Sequence, residues 1–166
     1  TELGERLVAK ADVALLELIK NAYDADASSC SVSHDKDKIV IEDDGHGMSE
    51  QEFLDKWMQI ATPDKQRARH SRKYERVVTG SKGIGRFAVR FLGRRLSLET
   101  VAKIKGGGSR SLLVVEFDWE KIDQSSQLHT VQIPYEVISA PKSRRTGTTL
   151  TITDLRTPGD LQIDKK

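Results

Sequence analysis

The sequence predicts an α+β two-layer sandwich, with helices on one face of a mostly antiparallel or mixed sheet. Three observations carry this. Helical periodicity dominates the first half of the chain, and alternating strand patterns dominate the second. A long polar and basic stretch, residues 59–85, lies between them. The 166 residues are 37% hydrophobic and 31% charged, enough apolar material for one folded domain spanning 1–166.

Residues 2 to about 26 read as helical, with a bend or break near Ala11 and Asp12. Asp12 is placed to N-cap the second segment, whose apolar residues recur at Leu15, Leu18, Ile19 and Ala22. CSVSH and KIVIEDD read as two short strands joined by a polar turn at residues 35–37. Ser49 and Glu52 form a capping box for a helix to about Met58. Residues 59–85 contain Pro63 and several glycine or serine breaks, and read as a long mobile loop of the kind that serves as a lid. RFAVRFL is a short helix ended by Gly93. RLSLETVAKIK and RSLLVVEFDW flank GGGS as a hairpin, and HTVQIPYEVIS and TGTTLTITDL add two strands.

Composition narrows the setting. No apolar run approaches the roughly 18 residues of a membrane span, and no signal peptide opens the chain. Cys30 is the one cysteine, which excludes an internal disulfide and makes a reducing, cytoplasmic setting the expectation. Net charge is only +2, yet residues 65–76 hold six Lys or Arg against one Glu. The start at Thr1 and the IDKK end lead to the expectation of a domain from a longer protein.

Four stretches can carry chemistry. On a helix, Glu17, Asn21 and Asp24 fall within roughly 60° of one another. Ala14 and Ala25 flank this stripe and leave room for a ligand. An amide oxygen suits Mg²⁺, and a carboxylate one turn away can take a proton from water. Read alone, the stripe is more simply a solvated face. In the second stretch, a β-branched strand runs into Asp43, Asp44 and then G-x-G. Alternation puts Asp43 on the face of Ile39 and Ile41, so its charge needs a partner, and an exocyclic amine such as that of adenine would serve. Asp44 points the other way and reads as solvated or turn-forming; the plain alternative for the whole stretch is an acidic turn.

The third stretch places Gly80, Gly83 and Gly85 just before a helix, an arrangement suited to anions, with Lys82 and Arg86 adding charge that fits phosphates or simply faces solvent. Its spacing is that of neither a P-loop nor a dinucleotide fingerprint. In the fourth, Thr148 shares the face of Leu150 and Ile152, so its hydroxyl points inward and needs a hydrogen-bond partner.

Taken in order, E-L-I-K-N-A-Y-D-A, D-D-G-H-G-M, G-S-K-G-I-G and G-T-T-L resemble the four nucleotide-binding motifs of the GHKL ATPase superfamily. That superfamily includes gyrase B, the ninety-kilodalton heat-shock chaperone, sensor histidine kinases and MutL. The resemblance spans about residues 10–153 and implies the Bergerat fold, in which ATP lies between helices, sheet and a lid, here residues 49–85. It implies Glu17 as the general base and Asn21 as the Mg²⁺ ligand, with Asp24 closing the first motif. It implies Asp43 at the adenine amine, with Gly47 and Met48 beside the base and Thr148 supporting that network. Gly80, Gly83 and Gly85 would wrap the phosphates of ATP or ADP, with Lys82 and Arg86 nearby.

Glu17 stands where sensor kinases usually lack glutamate, which favours a hydrolase over a kinase. The motifs look most like bacterial chaperone-like and MORC-like ATPase domains. The resemblance implies slow turnover by the isolated domain and ATP-dependent homodimerisation of a larger protein. Two other readings stand beside it: a nucleotide-gated DNA-binding module using residues 65–76, and a sensor histidine kinase catalytic domain.

Overall fold

A single 23-residue helix, α1 (Glu2–Asp24), opens the computed structural model, which describes residues 2–58, 70–77, 85–106, 108–124 and 133–156. No break interrupts α1 near Ala11 and Asp12. The reason is phase: Ala11, Ala14, Leu15, Leu18 and Ala22 form one unbroken apolar stripe packed on the core. Asp12 is exposed, so a helix-interior aspartate there costs only its weak propensity. Past Asp24 the chain reverses through two bonds, Asp26 N–H to Tyr23 O (3.1 Å) and Ala27 N–H to Ala22 O (3.0 Å), with Asp26 left-handed at φ 59°. This is a Schellman cap with aspartate where glycine is usual.

Strands β1 (Cys30–His34) and β2 (Lys38–Asp43) form the predicted hairpin, closed by Asp35 N–H to Lys38 O at 2.9 Å. The capping box at Ser49 and Glu52 is present and starts α2 (Glu50–Phe53), whose last turn widens into a π-turn from Leu54 to Met58. Phe53 is fully buried and packs on Tyr135, and the Tyr135 hydroxyl donates to Glu50 at 2.9 Å, tying α2 to the sheet edge.

Helix α3 (Gly85–Leu92) runs directly into β3 (Gly93–Lys103). Gly93 is therefore not a left-handed cap. A Cβ there would sit 2.5 Å from Thr153 O, so glycine answers the close approach of a neighbouring strand. β3 pairs with β4 (Arg110–Asp118), as the hairpin reading required. The sequence reading missed α4 (Trp119–Gln124), where Trp119 is buried against Phe117. β5 (Tyr135–Ser139) covers the second half of the strand read at 129–139; residues 129–132 lie outside the described set.

The last strand, β6 (Gly147–Leu155), inserts between β2 and β3, giving the order β1-β2-β6-β3-β4-β5. Every pairing in this six-stranded sheet is antiparallel, which settles the antiparallel-or-mixed alternative. Alternation turns Ile41, Leu96, Leu98, Leu113, Val115, Leu150 and Ile152 to the helical layer, where Leu18, Phe53 and Val89 meet them. The two-layer sandwich predicted from the sequence is thus the observed fold. No helix among the described residues is long and apolar enough to cross a membrane.

Candidate functional site

Strand register builds the site. Cys30, Asp43, Thr148 and Thr100 are successive partners across β1, β2, β6 and β3, so they form one row at the end of the sheet. The row opens where β2 turns toward α2. The Asp43 carboxylate accepts from Gly45 N–H at 2.8 Å. Burial pushes its pKa up to about 6, against the stabilising amides of Gly45 and Thr148 and with further repulsion from Asp44 and Glu42. Register places Asp43 on the Ile41 face of β2, half-buried, as its predicted inward aim requires. Cys30 beside it has its thiol pushed up, by burial first and then by Asp43 and Asp44.

Two glycines let backbones close around this row. Gly47 has φ 67°, and a Cβ on it would lie 2.0 Å from Val101 O. Gly147 has φ 148°, and its Cβ would lie 2.1 Å from Asp43 O. The half-buried Met48 packs on the core, and its N–H donates to Thr100 Oγ1 at 2.9 Å. Thr148 Oγ1 is 3.1 Å from the same Thr100 oxygen.

Asp44 is turn-forming. Its carboxylate accepts from Ser28 N–H (2.7 Å), Ser29 N–H (2.8 Å) and Ser28 Oγ (2.5 Å). These bonds, the Ser28 hydroxyl foremost, hold it below the usual carboxylate range. They fasten the turn to the chain leaving α1, and His46 N–H to Ala25 O at 2.9 Å fastens it to the helix end. The α1 stripe is thus carried to the Asp43 turn. On it, Glu17 is half-buried and ion-paired with Lys20 Nζ at 2.8 Å, Asn21 is exposed and Asp24 is half-buried. Ala14, read as leaving room for a ligand, instead belongs to the core at 2% exposure.

Part of the predicted mobile loop is held in place. Residues 70–77 form a turn bridged by His70 and Val77. Asp26, 6% exposed, accepts from Lys73 N–H (2.6 Å) and Tyr74 N–H (3.2 Å). Burial opposes its charge, but the Ser71 hydroxyl, these two amides and nearby His46 outweigh it, so its carboxyl stays below the ordinary range. Arg76 lies over the rings of Tyr23 and Tyr74 and donates to Tyr23 O (3.2 Å) and Ala27 O (3.0 Å), carbonyls at and just past the end of α1. Arg72 pairs with Glu52. Sequence reasoning missed Asp26; an aspartate in a left-handed cap has no sequence signature until its distant partners are known. Asp26→Ala is expected to cost about 2–3 kcal/mol through lost charged hydrogen bonds. It should lower the thermal midpoint by roughly 5–10 °C in calorimetry, with Asp26→Asn falling between it and the native protein.

Gly85 begins α3 and Arg86 follows on it, with the Arg86 side chain outside the described set. Gly80, Lys82 and Gly83 lie outside the described residues.

A half-buried acceptor carboxylate and close-packed glycine backbone thus share one end of the sheet, with the acid-amide stripe of α1 fastened beside them. The chain belongs to the histidine kinase-, DNA gyrase B-, and HSP90-like ATPase family, whose model matches residues 9–148. It is accordingly an ATP-binding domain of the ATPase class. Among solved structures, it resembles the ATPase region of Saccharomyces cerevisiae topoisomerase II, alone and bound to ICRF-187 (dexrazoxane). Each comparison gives a TM-score of 0.57 at 17% identity and covers 90% of this chain and 38% of the other. Over 74 residues it is 38% identical to a Herpetosiphon aurantiacus protein named "Putative type II restriction enzyme HgiDII". That stretch is 45% of this chain and 12% of the relative.

Proposed function

We propose that the domain binds ATP with its adenine at the Asp43–Thr148 row and hydrolyses it slowly. The observation that carries this reading is the half-buried Asp43 carboxylate, aligned with Thr148 by strand register and bracketed by Gly47 and Gly147. Above its pKa, this carboxylate is an acceptor and matches the donor amine of adenine. Gly47 and Met48 supply the backbone wall beside the base.

Glu17 is the general base, and its ion pair with Lys20 at 2.8 Å supports a defined carboxylate position. Asn21 would hold Mg²⁺. The fit is chemical: it offers an exposed amide oxygen, while the described residues contain no cluster of three His, Cys, Asp or Glu that would hold a metal without phosphate. Magnesium bound there neutralises phosphate charge. Asp24 supports the end of the stripe, and Gly80, Lys82, Gly83, Gly85 and Arg86 contact phosphates. Residues 49–85 act as a lid whose closure drives dimerisation of a larger protein, with the turn at 70–77 as its fixed root. Calorimetric titration with ADP and with ATP, with and without Mg²⁺, paired with a phosphate-release assay, tests the reading. Binding without turnover would refute the hydrolase half, and absence of binding would refute the whole.

The name of the restriction-enzyme relative motivates a second reading, DNA binding through residues 65–76. Arg72 and Arg76 are already engaged within the chain. If DNA is a ligand, duplex affinity should fall steeply with salt, and neutralising Arg67, Arg69 and Arg72 should remove it in fluorescence anisotropy. Under the primary reading these substitutions leave ADP affinity unchanged within about twofold.

A further inference from the structure

Thr100 belongs to none of the four motifs, yet it is the most enclosed polar side chain in the row, at 0% exposure. Its oxygen has three neighbours: Met48 N–H at 2.9 Å, Thr148 Oγ1 at 3.1 Å and Gly147 O at 3.3 Å. A hydroxyl has one proton and two lone pairs. Met48 N–H can only donate and Gly147 O can only accept. If Thr100 gives its proton to Gly147 O, its remaining lone pair accepts the proton of Thr148. All three contacts are then satisfied, as a fully buried hydroxyl requires. Thr148 is left with lone pairs alone facing the pocket, beside the acceptor Asp43.

We propose that Thr100 is a positioning residue that sets nucleobase choice, committing the Asp43 pocket to a purine with a 6-amino group over one with a 6-carbonyl. The proposal rests on the reading of Asp43 as the base-binding group. Thr100 acts through two partners. It fixes the direction of the Thr148 hydroxyl, and it pins the Gly47–Met48 wall through the Met48 amide. Without the Thr100 oxygen, Thr148 is free to turn its proton into the pocket and greet a carbonyl.

The test is calorimetric binding of ADP and of inosine diphosphate, which carries a 6-carbonyl in place of the amine. The native domain should prefer ADP by at least roughly 10-fold, the worth of one well-placed hydrogen bond. Thr100→Val keeps the branched shape and removes the hydroxyl. It should weaken ADP about 10-fold and shrink the preference to within about threefold, while Thr100→Ser should restore both. If Thr100→Val does not fold, Thr100→Cys keeps the volume with weaker hydrogen bonds and should give an intermediate preference. A folded Thr100→Val domain with the native preference overturns the proposal. So does an equal loss for both nucleotides, which marks a purely structural role. A native domain with no preference refutes the adenine reading itself, and is recognised because it appears before any substitution.

Discussion

Asp43→Asn is expected to weaken nucleotide binding about 100-fold while raising the melting temperature of the nucleotide-free domain. The two effects share one cause. Ionised Asp43 is held in a place that burial makes unfavourable for charge, with its pKa near 6 against an ordinary value of 3.8. A carboxyl whose folded pKa is raised takes up protons on folding between those values, so it destabilises the fold above pH 6 and ceases to do so as pH falls through 6 toward 4. At neutral pH the penalty is on the order of 1–3 kcal/mol. Asparagine keeps an oxygen for the Gly45 amide, bonded at 2.8 Å in the native domain, and removes the charge. Its amide nitrogen, however, meets the adenine amine donor to donor. Loss of a charged acceptor should lower ADP affinity by about 100-fold. Thermal melts at pH 7.5 and pH 5 check both signs: the variant should gain most at pH 7.5, and the difference should shrink at pH 5. A variant that melts lower than the native domain at pH 7.5 would show that Asp43 supports the fold rather than straining it.

The second large effect separates chemistry from binding. Glu17→Ala is expected to leave ADP affinity within about threefold and to lower phosphate release by roughly 10²–10⁴-fold, the usual worth of a general base. Glu17 lies on α1 rather than in the Asp43 row, and its ion pair with Lys20 is local to that helix. Losing that half-exposed pair costs little stability, so the folded fraction stays high and the kinetic loss is interpretable. Lys20→Met offers a graded comparison: it frees Glu17 without removing it, and turnover should fall less than for Glu17→Ala. Native turnover in Glu17→Ala would require another base.

Local rules made much of this legible in advance. The period-2 pattern of residues 39–43 aimed Asp43 inward, and Ser49 with Glu52 fixed the start of α2, because both depend on neighbours within a few positions. The α1 stripe was readable from helical spacing, although Ala14 was assigned to the wrong side of it, since small residues serve cores and ligand clefts alike. Thr100 and Asp26 were invisible for a different reason. Each acquires its role from partners far along the chain: Thr148 and Met48 for the first, Ser71, Lys73 and Tyr74 for the second. The helix at 119–124 was obscured by the strongly strand-like run before it.

The placement of β6 has a consequence for how the domain comes into being. The hairpins β1–β2 and β3–β4 can each pair locally, yet they share no edge until the last strand slides between them. Joining two preformed sheets through a distant strand is a non-local step, slow and exposed to mispairing while it is pending. The same step delivers Thr148 to Asp43. A chain stalled on the ribosome before that strand emerges therefore holds the acid but lacks its hydroxyl neighbour. With adenine at the Asp43–Thr148 row, as proposed above, competence for ATP would arrive only with this closure, making the ligand a reporter that folding of the domain is complete.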